Sequence, residues 1–251
     1  MPDLTGKIAL VTGASKGMGE THARTLVAHG AKVVMTDISA EGAEIAEQLG
    51  PDAHFLVHDV TDPSSWSDVV AAAGERFGVI STLVNNAGVS GEQAGTLDVS
   101  DADYQTTVKV DQYGVFLGMR AVLPGMIEQG AGSIINISSI SGIRPAFGTP
   151  NIGYIAAKAA VAGMTKFAAL EYAAQNIRVN SVHPGAVRTP FAESLLSQAP
   201  PEFKELLLSK IPSGRFAETT EVSNLVAFLA SDESAYITGA ELVIDGGALA
   251  Q

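Results

Sequence analysis

The chain has 251 residues, 46% of them apolar and 17% charged, which suits one compact globule rather than a disordered chain. It has no cysteine, which excludes disulfides, thiolate metal sites and a thiol nucleophile. Its net charge of −12 would repel phosphodiester backbones and anionic lipid heads, so neither nucleic acid nor a membrane surface is an expected partner. The opening Met1-Pro2-Asp3-Leu4-Thr5-Gly6-Lys7 lacks the apolar core of a signal peptide, and no apolar run approaches the roughly 20 residues that span a bilayer. The expectation is a soluble cytoplasmic protein.

In chain order, Ile8 to Val11 is a short β-branched run that reads as a buried strand, and a helical pattern follows from about Gly17 to Ala28. A strand over Lys32 to Thr36 ends at Asp37, a helix covers Glu41 to Leu49, and a strand covers Phe55 to Val57. The alternation continues with a helix over about Ser64–Phe77, a strand over Thr82–Asn85, and one long helix from about Asp101 to Glu128. Next come a strand over Ser133–Ser138, a helix over about Gly153–Ala174, and a strand over Arg178–Val182. A helix near Thr220–Ala230 and a strand over Glu241–Ile244 complete the pattern. Seven strands alternating with helices through short turns imply a doubly wound parallel α/β sheet with helices on both faces. There is no linker or repeat, so residues 1–251 read as a single domain. The long strand-free stretch, about 188–215, carries Phe191, Leu195, Leu196, Phe203, Leu206, Leu207 and Leu208 and reads as a lid over a substrate.

Thr12-Gly13-Ala14-Ser15-Lys16-Gly17-Met18-Gly19 lies where the first strand turns into the first helix. Glycines at 13, 17 and 19 permit a tight turn and let a pyrophosphate approach the helix N-terminus. Asp37 lies 18 residues past Gly19, close to the spacing of a carboxylate that binds the ribose 2′-hydroxyl. That carboxylate would repel a 2′-phosphate, which favours NAD over NADP. Lys16 offers an opposing charge, and Asp37 is weighted above it because burying an unpaired carboxylate against a phosphate costs several kcal/mol.

Tyr154 and Lys158 are four apart on one helix face. A free phenol is a poor base at neutral pH, and an ammonium held beside it stabilises the phenolate. Tyr154 could then take a proton from an alcohol or return one to a ketone while hydride moves at the nicotinamide, with Lys158 also holding the nicotinamide ribose.

The Gly-x-x-x-Gly-x-Gly spacing, Asn85-Asn86-Ala87-Gly88 and Tyr154-x-x-x-Lys158 together resemble the short-chain dehydrogenase/reductase family. The resemblance runs from Gly6-Lys7 to Asp245-Gly246-Gly247 and implies a Rossmann fold. It implies that Asp59 and Val60 contact the adenine ring. Asn86, Ala87 and Gly88 would contact the adenosine ribose and support the sheet, and Pro184, Gly185, Val187 and Thr189 would seat the nicotinamide carboxamide. It points to Ser139 as the serine that binds the substrate oxygen, with Ser138 an inward structural residue and Ser141 in reserve. Tyr154 lies fifteen positions after Ser139, a slightly long interval whose excess falls in Arg144 to Asn151 beside the substrate. Many family members carry an asparagine that anchors a water relay to the lysine. Here the stretch reads Val110-Asp111-Gln112-Tyr113-Gly114, and Asp111 is expected to position that water while damping the effect of Lys158 on Tyr154.

His22, His29, His54, His58 and His183 show no metal-ligand spacing and read as structural, so no metal is expected. Trp66 reads as core or interface, and Asp232, Glu233 and Asp245 as a solvated helix end and a turn. The apolar lid suits a bulky neutral substrate. The stretches 114–119 and 230–240 are most similar to those of bacterial hydroxysteroid and cyclic-alcohol dehydrogenases. The resemblance also implies a homotetramer built through the two long helices, where Ala156 to Gly163 would permit close packing. Two alternatives stand. An NADPH-dependent 3-oxoacyl carrier-protein reductase would want basic docking residues that 126–129 and 170–175 lack. A non-catalytic NAD-binding sensor is disfavoured by the intact Ser139, Tyr154 and Lys158.

Overall fold

In the computed structural model, residues 2–92, 94–145, 151–190, 192–193 and 201–251 are described, with the side chains of 201–203 left aside. The strands are β1 (Ile8–Thr12), β2 (Lys32–Asp37), β3 (Ala53–Val57), β4 (Thr82–Asn85), β5 (Gly132–Ile137), β6 (Ile177–Pro184), β7 (Val187–Arg188), β8 (Ala217–Glu218) and β9 (Glu241–Ile244). Seven of them form one parallel sheet in the order β3-β2-β1-β4-β5-β6-β9, and β7 pairs with β8 separately. The helices are α1 (Gly17–Ala28), α2 (Gly42–Leu49), α3 (Pro63–Arg76), α4 (Asp101–Val108), α5 (Gly114–Gln129), α6 (Ile152–Tyr172), α7 (Pro201–Ser209) and α8 (Thr219–Ala230).

Parallel strands buried on both faces read as continuous apolar runs, and their period of two sorts each strand's side chains between two cores. Leu10, Val34, Leu83, Ile134 and Val179, which lie in one row across the register, pack with Trp66 and Leu117. Their neighbours Val11, Met35, Val84 and Ile135 pack on the other face with Leu26 and Val226. The strand order reverses direction between β1 and β4, the place where doubly wound sheets open a ligand crevice at the carboxyl ends of their strands.

Two expectations are corrected. The single helix over Asp101–Glu128 is interrupted by a π-turn at Lys109–Tyr113 that joins α4 to α5. A π-turn inserts one residue without disturbing the apolar pattern on either side, so hydrophobic periodicity does not register it. The stretch 188–215, read as strand-free, borders the short β7–β8 pair at both ends and contains α7. Of the apolar lid residues, Phe191, Leu195 and Leu196 lie outside the described residues, as does the excess loop 146–150. Among the described residues no helix is long and apolar enough to cross a membrane.

Candidate active site

β1 hands the chain to α1 through Gly13 and Gly17, whose φ values of +65° and +62° are left-handed and suit glycine. Gly19 is required for a different reason. A Cβ there would stand 2.0 Å from the Gly13 carbonyl oxygen, so turn and helix can approach only if residue 19 has no side chain. The loop is braced from β4: Asn86 Nδ2 donates to the Thr12 and Gly13 carbonyls at 2.9 and 3.2 Å. Thr12 Oγ1 in turn accepts from the Asn86 and Ala87 amides, both at 3.0 Å. Among the described residues the N-cap residue Lys16 makes no side-chain cap to α1, which leaves its first amides available to an anion.

Asp37, at the end of β2, accepts from Ser15 N and Ser39 N, both at 3.0 Å, which fixes its carboxylate beside the glycine loop. Lys16, the next residue after Ser15, is exposed. Asp59 accepts from Thr61 N at 2.8 Å. Val60 borders a small packing gap with Thr12, Ala87, Val110 and Gly114, and its carbonyl is held by the indole N–H of the buried Trp66 at 2.9 Å. Trp66 therefore holds the predicted adenine segment as well as filling the core. Thr189 lies within 4 Å of a Cβ built on Gly17, so the segment that leaves β6 through Pro184, Gly185 and Val187 returns to the glycine loop. Met18 packs on the core. These features fit a nicotinamide dinucleotide: an uncapped helix N-terminus behind a left-handed glycine turn, with a fixed carboxylate one strand away.

The reactive side chains stand at the end of β5, on α6 and on the π-turn. Lys158 is buried, with Nζ donating to the Ile137 carbonyl at 3.1 Å, 3.3 Å from Asp111 Oδ2 and 5.5 Å from the centre of the Tyr154 ring. The π-turn points Asp111 inward, where it is fully buried and accepts from Val89 N at 2.8 Å. Burial pushes the Asp111 carboxyl above the usual carboxylate range, and the Lys158 charge only partly offsets this. Burial opposes the Lys158 charge too, but Asp111 and Tyr154 outweigh it and hold the ammonium above its ordinary pKa. Gly88 passes so close that a Cβ there would sit 3.2 Å from Asp111 and 3.3 Å from Lys158.

Ser139 follows β5, and its hydroxyl accepts from Ser141 N at 3.1 Å. Ser138 is buried, as expected, and donates to the Lys158 carbonyl at 2.8 Å, tying the end of β5 to α6. The turn after Ser139 lies flat on α6, since a Cβ on Gly142 would come within 2.7 Å of the Lys158 backbone.

Two residues that hold this site escape the sequence reading. Asn151, fully buried, caps α6 by accepting from Tyr154 N at 2.9 Å and donates to Asp103 Oδ2 at 2.9 Å and the Glu92 carbonyl at 2.8 Å. An asparagine three residues before the tyrosine is a legible cap signal. His183, buried on β6, meets the Ser139 carbonyl, which no sequence spacing announces.

Residues 13–248 match the family model described as enoyl-(acyl carrier protein) reductase. A trans-4-hydroxycyclohexanecarboxylate dehydrogenase of Sinomonas cyclohexanicum is 47% identical over 253 residues, covering 96% of this chain and 92% of that protein. The chain belongs to the short-chain dehydrogenase/reductase family. Another relative is a 3-alpha-(or 20-beta)-hydroxysteroid dehydrogenase of Mycobacterium tuberculosis, 47% identical over 249 residues, with 98% and 91% of the two chains covered. Among solved structures, that of levodione reductase superposes with a TM-score of 0.92 at 38% identity and covers 98% of each chain. As a member of this family the chain is an oxidoreductase that moves hydride to or from a nicotinamide cofactor.

Proposed function

We propose that this dehydrogenase interconverts a bulky, neutral, cyclic secondary alcohol and its ketone, using NAD(H). The observation that carries the reading is Lys158, buried one helical turn from Tyr154 with its ammonium 5.5 Å from the phenol ring. The relatives named for a hydroxycyclohexane acid and a hydroxysteroid support the ring-bearing substrate. Asp37, fixed by two backbone amides, supports NAD over NADP.

The dinucleotide would lie on Gly13, Ser15, Lys16, Gly17, Met18 and Gly19, with Asp37 on the adenosine ribose and Asp59, Val60, Asn86, Ala87 and Gly88 around the adenosine. Pro184, Gly185, Val187, Thr189 and Lys158 would hold the nicotinamide end. When bound it accepts hydride from the alcohol carbon or donates hydride to the ketone. Tyr154 Oη takes the alcohol proton in oxidation and returns it in reduction. The Lys158 ammonium stabilises the phenolate, and Ser139 Oγ donates to the substrate oxygen as it gains charge. Asp111 holds Lys158 in place and tempers its charge. The stretch 188–215 is proposed as the lid, although its residues 191 and 194–200 lie outside the described residues. Gly163 faces open space on the α6 face that carries exposed Phe167 and Leu170, and α5 exposes Phe116, which supports a homotetramer joined through these two helices. The enzyme would act in the cytoplasm. The acidic surface disfavours docking of an acyl carrier protein.

The test is initial rates of nicotinamide absorbance change with cyclic, aryl and steroid alcohols, each offered NAD⁺ and NADP⁺. Turnover of a cyclic alcohol with NAD⁺ preferred is expected. Turnover with NADP⁺ alone would mean that Lys16 outweighs Asp37, and silence with both despite NADH binding would favour a sensor.

A further inference from the structure

His183 is buried on β6 directly before Pro184, outside the set of residues assigned to cofactor or substrate. Its Nδ1 is 3.2 Å from the Ser139 carbonyl oxygen, and its Nε2 is 2.8 Å from Ser181 Oγ and 3.6 Å from Glu241 Oε2. Lys166 of α6 holds that Glu241 carboxylate in an ion pair. A carbonyl oxygen only accepts, so the proton between His183 and Ser139 sits on Nδ1, and the Nε2 lone pair takes the Ser181 hydroxyl proton. Burial pushes His183 below its ordinary pKa against the pull of the Ser139 bond and Glu241, with Lys158 and Lys166 adding to the downward push. The ring is therefore a neutral Nδ1–H donor. The backbone it grips lies just past the last regular β5–β6 bridge: Ser138 N donates to the Val182 carbonyl at 2.8 Å, and the chain then swings into the turn that carries the Ser139 hydroxyl. Among the described residues the Ser139 carbonyl otherwise accepts from the turn's own Gly142 amide, at 3.1 Å. The ring is thus a cross-link from the sheet to the serine turn.

We propose that His183 is a positioning residue: by donating Nδ1–H to the Ser139 carbonyl it fixes the serine turn so that Ser139 Oγ points at the reacting substrate oxygen. This rests on the role given to Ser139 above. Loss of the cross-link is expected to act on kcat, because hydrogen bonding to the reacting oxygen counts in the transition state while the cofactor is held elsewhere.

His183→Leu, His183→Asn and His183→Gln would be compared in wild-type and Ser139→Ala backgrounds, with kcat and KM for the cyclic alcohol ranked first by the panel and the NADH dissociation constant. Nitrogen-15 chemical shifts of the labelled histidines in the wild-type protein would report the tautomer without any substrate. The His183→Leu variant is expected to lose about ten- to hundredfold in kcat, with KM and NADH affinity unchanged. Asparagine, whose amide nitrogen falls near Nδ1, should restore most of the rate, and glutamine, whose amide falls near Nε2, should not. In the Ser139→Ala background none of the three should cost further rate. If His183→Leu does not fold, the asparagine–glutamine contrast and the tautomer decide. An Nε2–H tautomer, full kcat in His183→Leu, equal losses in asparagine and glutamine variants, or equal losses with and without the Ser139 hydroxyl would overturn the inference. A wild-type kcat in Ser139→Ala alone would instead overturn the functional reading of Ser139, while the tautomer still tests the His183 bond.

Discussion

Lys158 is enclosed by an anion, a carbonyl and an aromatic ring, and each restrains what its charge can do. The Ile137 carbonyl and the Asp111 carboxylate hold the ammonium against the end of β5. Because Asp111 sits inside the fold, its negative charge is poorly screened and acts on Lys158 at close range. Part of the field that would stabilise the Tyr154 phenolate is therefore cancelled. Asp111→Asn keeps the shape and the acceptor for Val89 N but removes the charge, so the ammonium acts undiminished. On the proposed mechanism the pH–rate profile for alcohol oxidation should then move toward acid. Initial rates of wild type and variant across pH measure it, and a profile that does not move would remove Asp111 from the proton chemistry. The aspartate itself was legible as a departure from the family pattern. Its fully buried pairing with Lys158 was not, because it depends on a π-turn.

At the scale of elements, the β1–α1 junction works only because its backbones touch. The Gly13 carbonyl, the Asn86 amide and the first turn of α1 meet around Gly19, where a Cβ would also lie 2.6 Å from Asn86 Nδ2. Gly19→Ala has no flexible neighbour to displace and must separate turn from helix. Overpacking of this kind costs about 1–3 kcal/mol, and the amides that face the pyrophosphate move with it. The expected outcome is a lower melting temperature together with at least a tenfold weaker NADH dissociation constant, read by fluorescence titration; unchanged NADH affinity would show that the junction tolerates a side chain. The glycine spacing made this junction legible, since strand, turn and helix each leave a local signal. The cap at Asn151 was legible in principle, and the α4–π–α5 break was not, because one inserted residue leaves the apolar faces of α4 and α5 intact.

For the molecule as a whole, the residues proposed for the site stand at the carboxyl ends of six strands of one parallel sheet: Gly13 after β1, Asp37 on β2, Asp59 after β3, Asn86 after β4, Ser139 after β5 and Pro184 on β6. Their alternation with helices made a seven-stranded parallel sheet legible in the sequence, whereas the order of its strands is set by contacts that the alternation does not record. Contacts between distant segments left no such trace, since His183 is 44 residues from Ser139 in sequence and meets it only because β5 and β6 are neighbours. In the proposed function this arrangement serves to place a buried ammonium beside a phenol at the mouth of a dinucleotide cleft. Tyr154→Phe tests it most directly, because it removes one oxygen and leaves Lys158, Asp111 and the whole cofactor cradle in place. Steady-state alcohol oxidation with NAD⁺ should fall by about 10²–10⁴-fold, while NADH binds the variant as tightly as wild type. A Tyr154→Phe enzyme that binds NADH normally and turns over within a few-fold of wild type would contradict the proton-transfer role of this tyrosine.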